Sequence, residues 1–533
     1  MKYAIIAAGQ GSRLASEGVK EPKPLVKVQG EHLIDRLIRI FMLNDAEEIV
    51  VICNGESPLV EQHLRDLQEN GLNGQRVPLS HIVVKTTPSS MHSLYELSPW
   101  LAGSPFVATT VDTIFGEDYF HEFIRHFQTG MMGVTDYLDD EKPLYVAVLS
   151  PLSHESVPAG RAQGVETITA FLDERPEEGS RWHVSAGVYA LMPEALDVLR
   201  KCIEGGESRM RNFQRALIAS GMKLKAMSLG KVFDIDHAED IRKAEAFLGA
   251  PRYWLVPRDG EERSPLRRAD RTLLEKVGSE LDRRGYERGC MTTDDTTDRE
   301  KTAVPHPDVL LCMSRDNDIL RKLQPLTAQC KVVVNNPLSV LNNTRDRLQQ
   351  LMIENGLPVP PNEGKDGYWV KATGMEDLDR TVVEYHPTRE EAEQRAAQLE
   401  RDNFRQPVIS AHVVGDVIKF YGVGTSFFRC YEAMEVKGVK GVKGVKEVKE
   451  VKEVKEVKEV KGVKEVKEVA QRLANLMKLD VWGGDAVIDE AGNFFIIDMN
   501  DWPSFRPCQD EAACAIADLV DVRLGRGKEN KRK

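Results

Sequence analysis

Short apolar runs alternate with helical patterns through the first 250 residues, and this rhythm restricts the possible fold more than any other feature of the chain. Tyr3–Ala8 reads as a strand, Leu33–Asn44 as a helix, Glu48–Cys53 as a strand and Leu59–Glu69 as a helix. His81–Thr86, Ser93–Leu101 and Phe106–Val111 continue as strand, helix and strand. Parallel strands need a crossover between them, so repeated strand–helix units predict a mainly parallel sheet with helices on both faces. After Asp136 the rhythm changes. Leu144–Leu149, Glu166–Leu172 and His183–Leu191 follow one another as strand-like runs, which predicts an antiparallel piece added to the same sheet. A helix at Ala238–Leu248 closes the unit.

Pro251 to Arg271 is rich in Pro, Arg and Asp, and the domain boundary is placed there. A second α/β pattern follows: a helix at Leu273–Arg284, strands at Val309–Cys312 and Lys331–Val334, and a helix at Thr344–Asn355. Strands around Tyr368–Lys371 and Thr381–Tyr385, a helix at Arg389–Asn403, and strands at Val408–Val413 and Ile418–Val423 come next. Ala470–Leu479 reads as a helix, and Gly484–Ile488 with Phe494–Met499 as a hairpin. The expected organisation is a domain at 1–250, a linker and small α/β domain at 251–343, a domain at 344–515, and a terminal segment at 516–533.

From Glu435 to Glu468 a Glu/Gly-Val-Lys triplet repeats. In a strand, period three puts Val on both faces in turn; in a helix, the Val stripe drifts around the axis. The tract is therefore expected to be a solvated, expanded insertion. Without its 11 Lys and 8 Glu, the chain keeps 61 basic and 76 acidic residues, a net charge of −15. An acidic surface of this kind disfavours phosphate backbones and anionic lipid, so nucleic acid is not an expected partner. The basic residues Arg526, Lys528, Lys531, Arg532 and Lys533 are read as a solvated terminus. The eight Cys show no CxxC pair, which fits reduced thiols in a cytoplasmic protein. The apolar start of the chain is too short for a signal peptide, and no run of about 18 apolar residues occurs elsewhere, so membrane insertion is not expected.

Chemistry concentrates first in Ala7-Ala8-Gly9-Gln10-Gly11-Ser12-Arg13-Leu14, directly after the first strand, and in Glu21-Pro22-Lys23-Pro24-Leu25. Glycines let the backbone turn tightly and aim successive N–H groups at an anion, as a triphosphate requires. Arg13 and Lys23 would bring positive charge to the phosphates being separated. These residues resemble the signature loop of the nucleotidyltransferases that make NDP-sugars and related activated metabolites. The resemblance covers 1–250 and implies a Rossmann-like mixed sheet of the nucleotide-diphospho-sugar transferase type. It implies NTP contacts at Ala8, Gly9, Gln10, Gly11 and Ser12, and nucleobase contacts at Ser90 and Ser93. Catalysis would fall to Arg13 and Lys23, and Mg2+ to Asp112 with Asp234 or Asp236. Thr169–Pro176 resembles the family's Glu-Lys-Pro segment with Arg175 replacing Lys, and Ser185-Ala186-Gly187 its Asn-Ala-Gly strand with Ser replacing Asn. Acceptor binding is accordingly expected at Glu174, Arg175 and Gly187.

A second constellation lies near the C-terminus. Asp498 and Asn500 are two apart in one strand and face the same side, and a hairpin partner can bring Asp485 beside them. Three such oxygen ligands suit Mg2+ on a nucleoside triphosphate. The arrangement resembles the ATP-grasp superfamily, with earlier segments matching in order across 290–515. That resemblance implies a C-terminal ATP-grasp α+β domain with ATP contacts at Arg347, Lys371, Ser410, Val413, Lys419 and Arg429, and metal ligands at Asp485, Asp498 and Asn500. ATP-grasp enzymes are mostly carboxylate–amine ligases and some are kinases; the strand around Lys419 and the run Asp498–Pro503 resemble the inositol-phosphate kinases as well as the ligases.

The resulting expectation is a bifunctional enzyme, with Mg2+ as cofactor and NTP, ATP and a phosphorylated small metabolite as substrates. Its first site would transfer a nucleotidyl group to a sugar-, polyol- or amino-alcohol phosphate. Its second would phosphorylate or ligate. One rival is an ATP-binding sensor or scaffold whose second domain does not turn over. Another is a molybdopterin guanylyltransferase-like enzyme, although Gly11-Ser12-Arg13-Leu14 lacks that branch's Arg-Met-Gly continuation.

Overall fold

Lys2–Ala7 (β1) has the pattern of a strand covered on both sides. Tyr3, Ile5 and Ala7 enter one apolar core, while Ala4, Ile6 and Ala8 enter the core on the opposite face. The computed structural model describes residues 1–137, 142–149, 165–177, 180–258, 265–290, 306–432 and 463–526. The chain divides into one unit of Met1–Val157, Arg161–Ala250 and Glu287–Pro305, and a second built chiefly of Pro251–Tyr286 and His306–Lys533.

In the first unit β1 is followed by α1 (Ser12–Ser16), α2 (Leu33–Leu43), β2 (Glu48–Cys53), α3 (Pro58–Asn70), β3 (Leu79–Val84), α4 (Ser90–Leu101) and β4 (Phe106–Thr110). Then come β5 (Gly130–Thr135), β6 (Tyr145–Leu149), β7 (Glu166–Leu172), β8 (Trp182–Leu191), β9 (Leu224–Ser228) and α5 (Ala238–Gly249). The nine strands form one sheet in the order β3-β2-β1-β4-β8-β5-β9-β7-β6. The first four are parallel, and β8 joins β4 antiparallel, so the fold is mixed α/β with the parallel half carrying the crossovers. Two strands escape the sequence pattern. Gly130–Thr135 contains two glycines and Leu224–Ser228 has no β-branched residue, so neither carries a strand signature, yet they pair parallel in the centre of the antiparallel half.

The second unit begins with three parallel strands, β10 (Arg252–Val256), β11 (Val309–Cys312) and β12 (Val332–Val334), with α6 (Pro265–Arg283) between the first two. After α7 (Arg345–Glu354), strands β13 (Tyr368–Thr373), β14 (Thr381–His386) and β15 (Val408–Ala411) form an antiparallel sheet with β13 central. A four-stranded antiparallel sheet follows, made of β16 (Asp416–Val423), β17 (Phe427–Glu432), β18 (Val481–Ile488) and β19 (Phe494–Asp501) in the order β17-β16-β18-β19. One face packs on α8 (Val463–Met477) and α7; the other, through Tyr421 and Val423, packs on α9 (Gln509–Arg523) and α6.

The triplet tract is not wholly a solvated insertion. Its last residues belong to α8, where Val466 is fully buried with Ala470, Leu473, Ala474 and Met477. Each triplet falls about 60° short of a full helical turn, so a repeat or two can stay in phase with the apolar stripe that follows although a longer run cannot. The expectation for 435–462 lies outside the described residues, as does that for the basic tail beyond Arg526. Six of the eight Cys are buried and no disulfide joins any of them. Among the described residues no helix is long and apolar enough to cross a membrane.

Candidate functional site

The loop Ala8–Gly11 leaves the end of β1 and turns into α1, with Gly9, Gln10 and Ser12 exposed and Ala8 buried beneath them. Gly11 occupies the left-handed region at φ 62°, and a Cβ there would lie 3.1 Å from the Lys23 Cβ, so the glycine both makes the turn and lets the lysine segment close on it. Lys23, in a short helical turn after Pro22, is only 10% exposed. Its ammonium donates to Asp112 Oδ2 and, at 2.7 Å, to Asp236 Oδ1. Arg13 donates to the other oxygen of Asp236 at 2.8 Å.

Two backbone features assemble these groups. Asp112 lies just past β4, and its carbonyl accepts from Ile235 N at 3.1 Å; Thr113–Ile114 pairs with Phe233–Asp234 in a short antiparallel ladder. The late segment is thereby stitched to the end of β4, and Asp236 arrives beside Asp112. Burial alone would drive the Lys23 ammonium toward neutrality, but Asp112 and Asp236 outweigh it and hold its pKa above the usual lysine value. Burial would likewise raise the Asp236 carboxyl, and Lys23 and Arg13 reverse this to below the usual range. Asp112 Oδ1 is buried and has no hydrogen-bond partner among the described residues, so one hard oxygen ligand is available for a cation.

The structure separates the two late candidates. Asp236 meets Lys23 and Arg13, whereas Asp234 is exposed and accepts the Thr113 hydroxyl at 3.4 Å. Ser93, expected at the nucleobase, has its hydroxyl engaged within the protein. It is buried at 2% exposure, its hydroxyl bonded to Thr87 Oγ1 at 2.6 Å and to the Ser89 carbonyl, so it fastens the loop before α4. Ser90, its neighbour one turn earlier, is half-buried. Glu174 and Arg175 are exposed, and Arg175 stacks over the Trp182 ring at 4.9 Å. Gly187, at φ 70°, sits within the irregular pairing of β8 near Thr110 and Thr113. Sequence reading missed Glu17, which accepts from His237 Nδ1 at 2.6 Å and from Ala238 N at 2.7 Å, tying α1 to the start of α5.

Residues 3–179 match the family described as the MobA-like NTP transferase domain. That match covers 177 of the 533 residues, all in the N-terminal part of the chain. The chain is also similar to two glucose-1-phosphate cytidylyltransferases, from Salmonella typhimurium and Salmonella typhi, each 24% identical over 63 residues. Those matches span 12% of this chain and only 24% of the length of the relatives. Among solved structures, the inositol-1-phosphate CTP transferase from T. maritima is 18% identical, covers 46% of this chain and 96% of its own, and has a TM-score of 0.36. The CTP:phosphocholine cytidylyltransferase from Streptococcus pneumoniae is 20% identical, covers 46% of this chain and 98% of its own, and has a TM-score of 0.35. The residues matched by the family include the glycine loop, Lys23 and Asp112.

The second unit aligns charges across three strands. Lys419 pairs in register with Asp485, and Asp485 with Asp498, so the three side chains form a row; Lys419 Nζ donates to Asp485 Oδ1 at 2.7 Å. Asn500 donates to Asp498 Oδ2 at 3.2 Å. Lys371, on β13, donates to the Ile497 carbonyl, and burial together with the nearby Arg345 guanidinium pushes its pKa down to about 7. A cleft here is lined by Arg315, Asn343, Arg345, Thr373, Met499 and Asn500.

Arg347 does not join this group. It is exposed and donates to Gln350 at 3.0 Å, while Arg345 forms the ion pair with Asp498. Two residues along a helix turn the side chain by about 200°, so only one of the two arginines can face the strands. Arg429 is held by Glu511 and stacks over Phe427 at 4.9 Å. Ser410 is buried on β15 opposite Trp369, and Val413 lies past the end of that strand. Asp501, unassigned from sequence, is an anchor: it is 1% exposed and accepts from Arg315 Nε at 3.1 Å and Asn343 at 2.8 Å.

Proposed function

We propose that the N-terminal unit transfers a nucleotidyl group from an NTP to a phosphorylated small metabolite, releasing pyrophosphate. One observation carries this reading: the Lys23 ammonium is buried between Asp112 and Asp236 directly under the glycine loop. A phosphate oxygen of the acceptor attacks the α-phosphorus in line, the new P–O bond forms as the bond to the β-phosphate breaks, and pyrophosphate departs with both electrons of that bond. Loop N–H groups bind the phosphates, and Lys23 and Arg13 supply positive charge to the oxygens on which charge accumulates. Asp112 and Asp236 would hold Mg2+, which would contribute Lewis-acid charge to the phosphate oxygens. The acceptor is a sugar-, polyol- or amino-alcohol phosphate, a class consistent with the glucose-1-phosphate in the names of the curated relatives. A matrix of NTPs against phosphometabolites, read by pyrophosphate release, tests the proposal. Release with no combination would sink it.

The second unit is read as an ATP-grasp domain that phosphorylates or ligates with ATP. The supporting observation is the row Lys419-Asp485-Asp498 facing Lys371 and Arg345, which assembles paired carboxylates and cations of the kind an ATP–Mg2+ complex requires. Acceptor-dependent ADP formation that disappears in Asp498→Ala supports this reading; ATP binding without turnover supports the sensor instead. Both units are proposed to work in the cytoplasm on small molecules, not on nucleic acid.

A further inference from the structure

Outside the sites described above, His32, Asp35 and His63 converge in the first unit. His32 immediately precedes α2, Asp35 lies in the first turn of that helix, and His63 lies in α3. His32 Nδ1 is 2.8 Å from Asp35 Oδ2, and His63 Nε2 is 2.6 Å from Asp35 Oδ1. The two rings meet edge-on with centroids 4.9 Å apart, and one ligand atom from each of the three residues can be chosen so that all lie within 4.8 Å of one another. His32 occupies the helix cap position yet makes no side-chain cap bond, so its imidazole is turned to the carboxylate rather than to the helix backbone.

Ordinary ion pairing accounts poorly for this arrangement. Asp35 is 9% exposed and its charge is met by two imidazoles, while the neighbouring guanidinium groups are bound elsewhere: Arg36 to the Phe115 carbonyl and Arg39 to Glu31 and Glu117. A buried carboxylate that needed only a counter-ion would be served better by an arginine. Two imidazole nitrogens and one carboxylate oxygen, from the cap and first turn of α2 and from α3, form instead a donor set preferred by late first-row divalent cations, and not by Mg2+, which takes oxygen ligands. The His side chains are 25% and 22% exposed, which leaves an approach for the cation and for a water as fourth ligand.

We propose that His32, Asp35 and His63 form a Zn2+-class site that clips α2 to α3. Both helices pack through Leu33, Leu37, Val60 and Leu64 into the same core layer beneath β1, so a bound ion would fasten two elements that cover the sheet beside the glycine loop. The site is independent of the Asp112–Asp236 cluster and of the nucleotidyl-transfer reading.

The test uses the full chain after chelator treatment, titrated with Co2+ as a spectroscopic stand-in. The proposal expects a saturable tetrahedral d–d spectrum at one ion per chain, without a thiolate charge-transfer band, displaced by Zn2+ but not by excess Mg2+. His32→Gln and His63→Gln should each weaken binding by at least about tenfold, with circular dichroism confirming the fold. A wild-type spectrum that is weak and octahedral, that shows sulfur ligation, or that is unchanged in folded His63→Gln would overturn it. If His63→Gln does not fold, Asp35→Asn provides the same comparison, and the wild-type spectrum and Mg2+ competition decide without any variant.

Discussion

Lys23 and Asp236 stand 213 positions apart in the chain and meet at 2.7 Å. Nothing local holds them together; the contact depends on the short ladder that returns Phe233–Asp234 to the end of β4. Lys23→Ala should therefore reduce pyrophosphate release by about 100-fold or more while leaving the fold intact, since it removes charge from the reacting phosphates. The finer test compares Asp236→Asn with Asp234→Asn. The first should approach the loss seen for Lys23→Ala. The second, altering a carboxylate bonded to Thr113, should retain most activity, and the opposite order would reassign the late carboxylate.

Gly11 makes a second test because its backbone and its space are both constrained. At φ 62°, with a prospective Cβ 3.1 Å from Lys23, Gly11→Val would strain the turn by about 1–2 kcal/mol and press on the lysine segment. The expected outcome is a modest fall in Tm with at least about a tenfold fall in kcat. A fall in Tm with unchanged kcat would show that the loop matters only for stability.

The parallel half of the sheet was legible because β1 and β2 are nearly continuous apolar runs, β3 and β4 are rich in β-branched residues, and helical spacing separates all four. Gly130–Thr135 and Leu224–Ser228 were not, since their strand character comes from pairing in the sheet rather than from their own residues. The same distinction divides the sites. Gly11, Lys23 and Asp112 lie in recognisable local motifs, but that Asp236 and not Asp234 meets Lys23 depends on a tertiary ladder, and the burial of Ser93 on its hydrogen bond to Thr87. Val466 shows the limit from the other direction: a repeat without a fixed face acquires one where it abuts a committed apolar stripe.

His183 gives the first unit a defined pH dependence. Its Nε2 lies 2.6 Å from the buried Glu166, and its Nδ1 meets Asp136. Burial would lower its pKa, but the two carboxylates override this and lift it from 6.5 to about 9. Between those values the folded state binds the proton that the unfolded state has released, so stability falls as pH rises. The stabilisation is fully present below about 6.5 and lost as pH passes about 9, with a total of about 1–3 kcal/mol. Denaturant unfolding of wild type and His183→Gln across that window checks the sign: the variant should show a flatter profile, and a wild type that gained stability with pH would contradict it.

In the second unit the discriminating pair is Arg345 and Arg347. Arg345 contacts Asp498 and lines the cleft, whereas Arg347 points to Gln350 on the exposed side of the same helix. If the cleft binds ATP, Arg345→Ala should weaken binding by at least about tenfold, the value of one charge-assisted hydrogen bond. Arg347→Ala should stay within about twofold. Arg345→Ala also leaves Asp498 without its cation, which can lower stability for reasons unrelated to the nucleotide. Arg345→Lys separates the two effects, because it restores a positive charge to Asp498 but not the planar fork that a phosphate engages. Partial recovery of Tm with incomplete recovery of ATP affinity, read by thermal unfolding and calorimetry, is the expected pattern. Equal losses in Arg345→Ala and Arg347→Ala would place the nucleotide elsewhere.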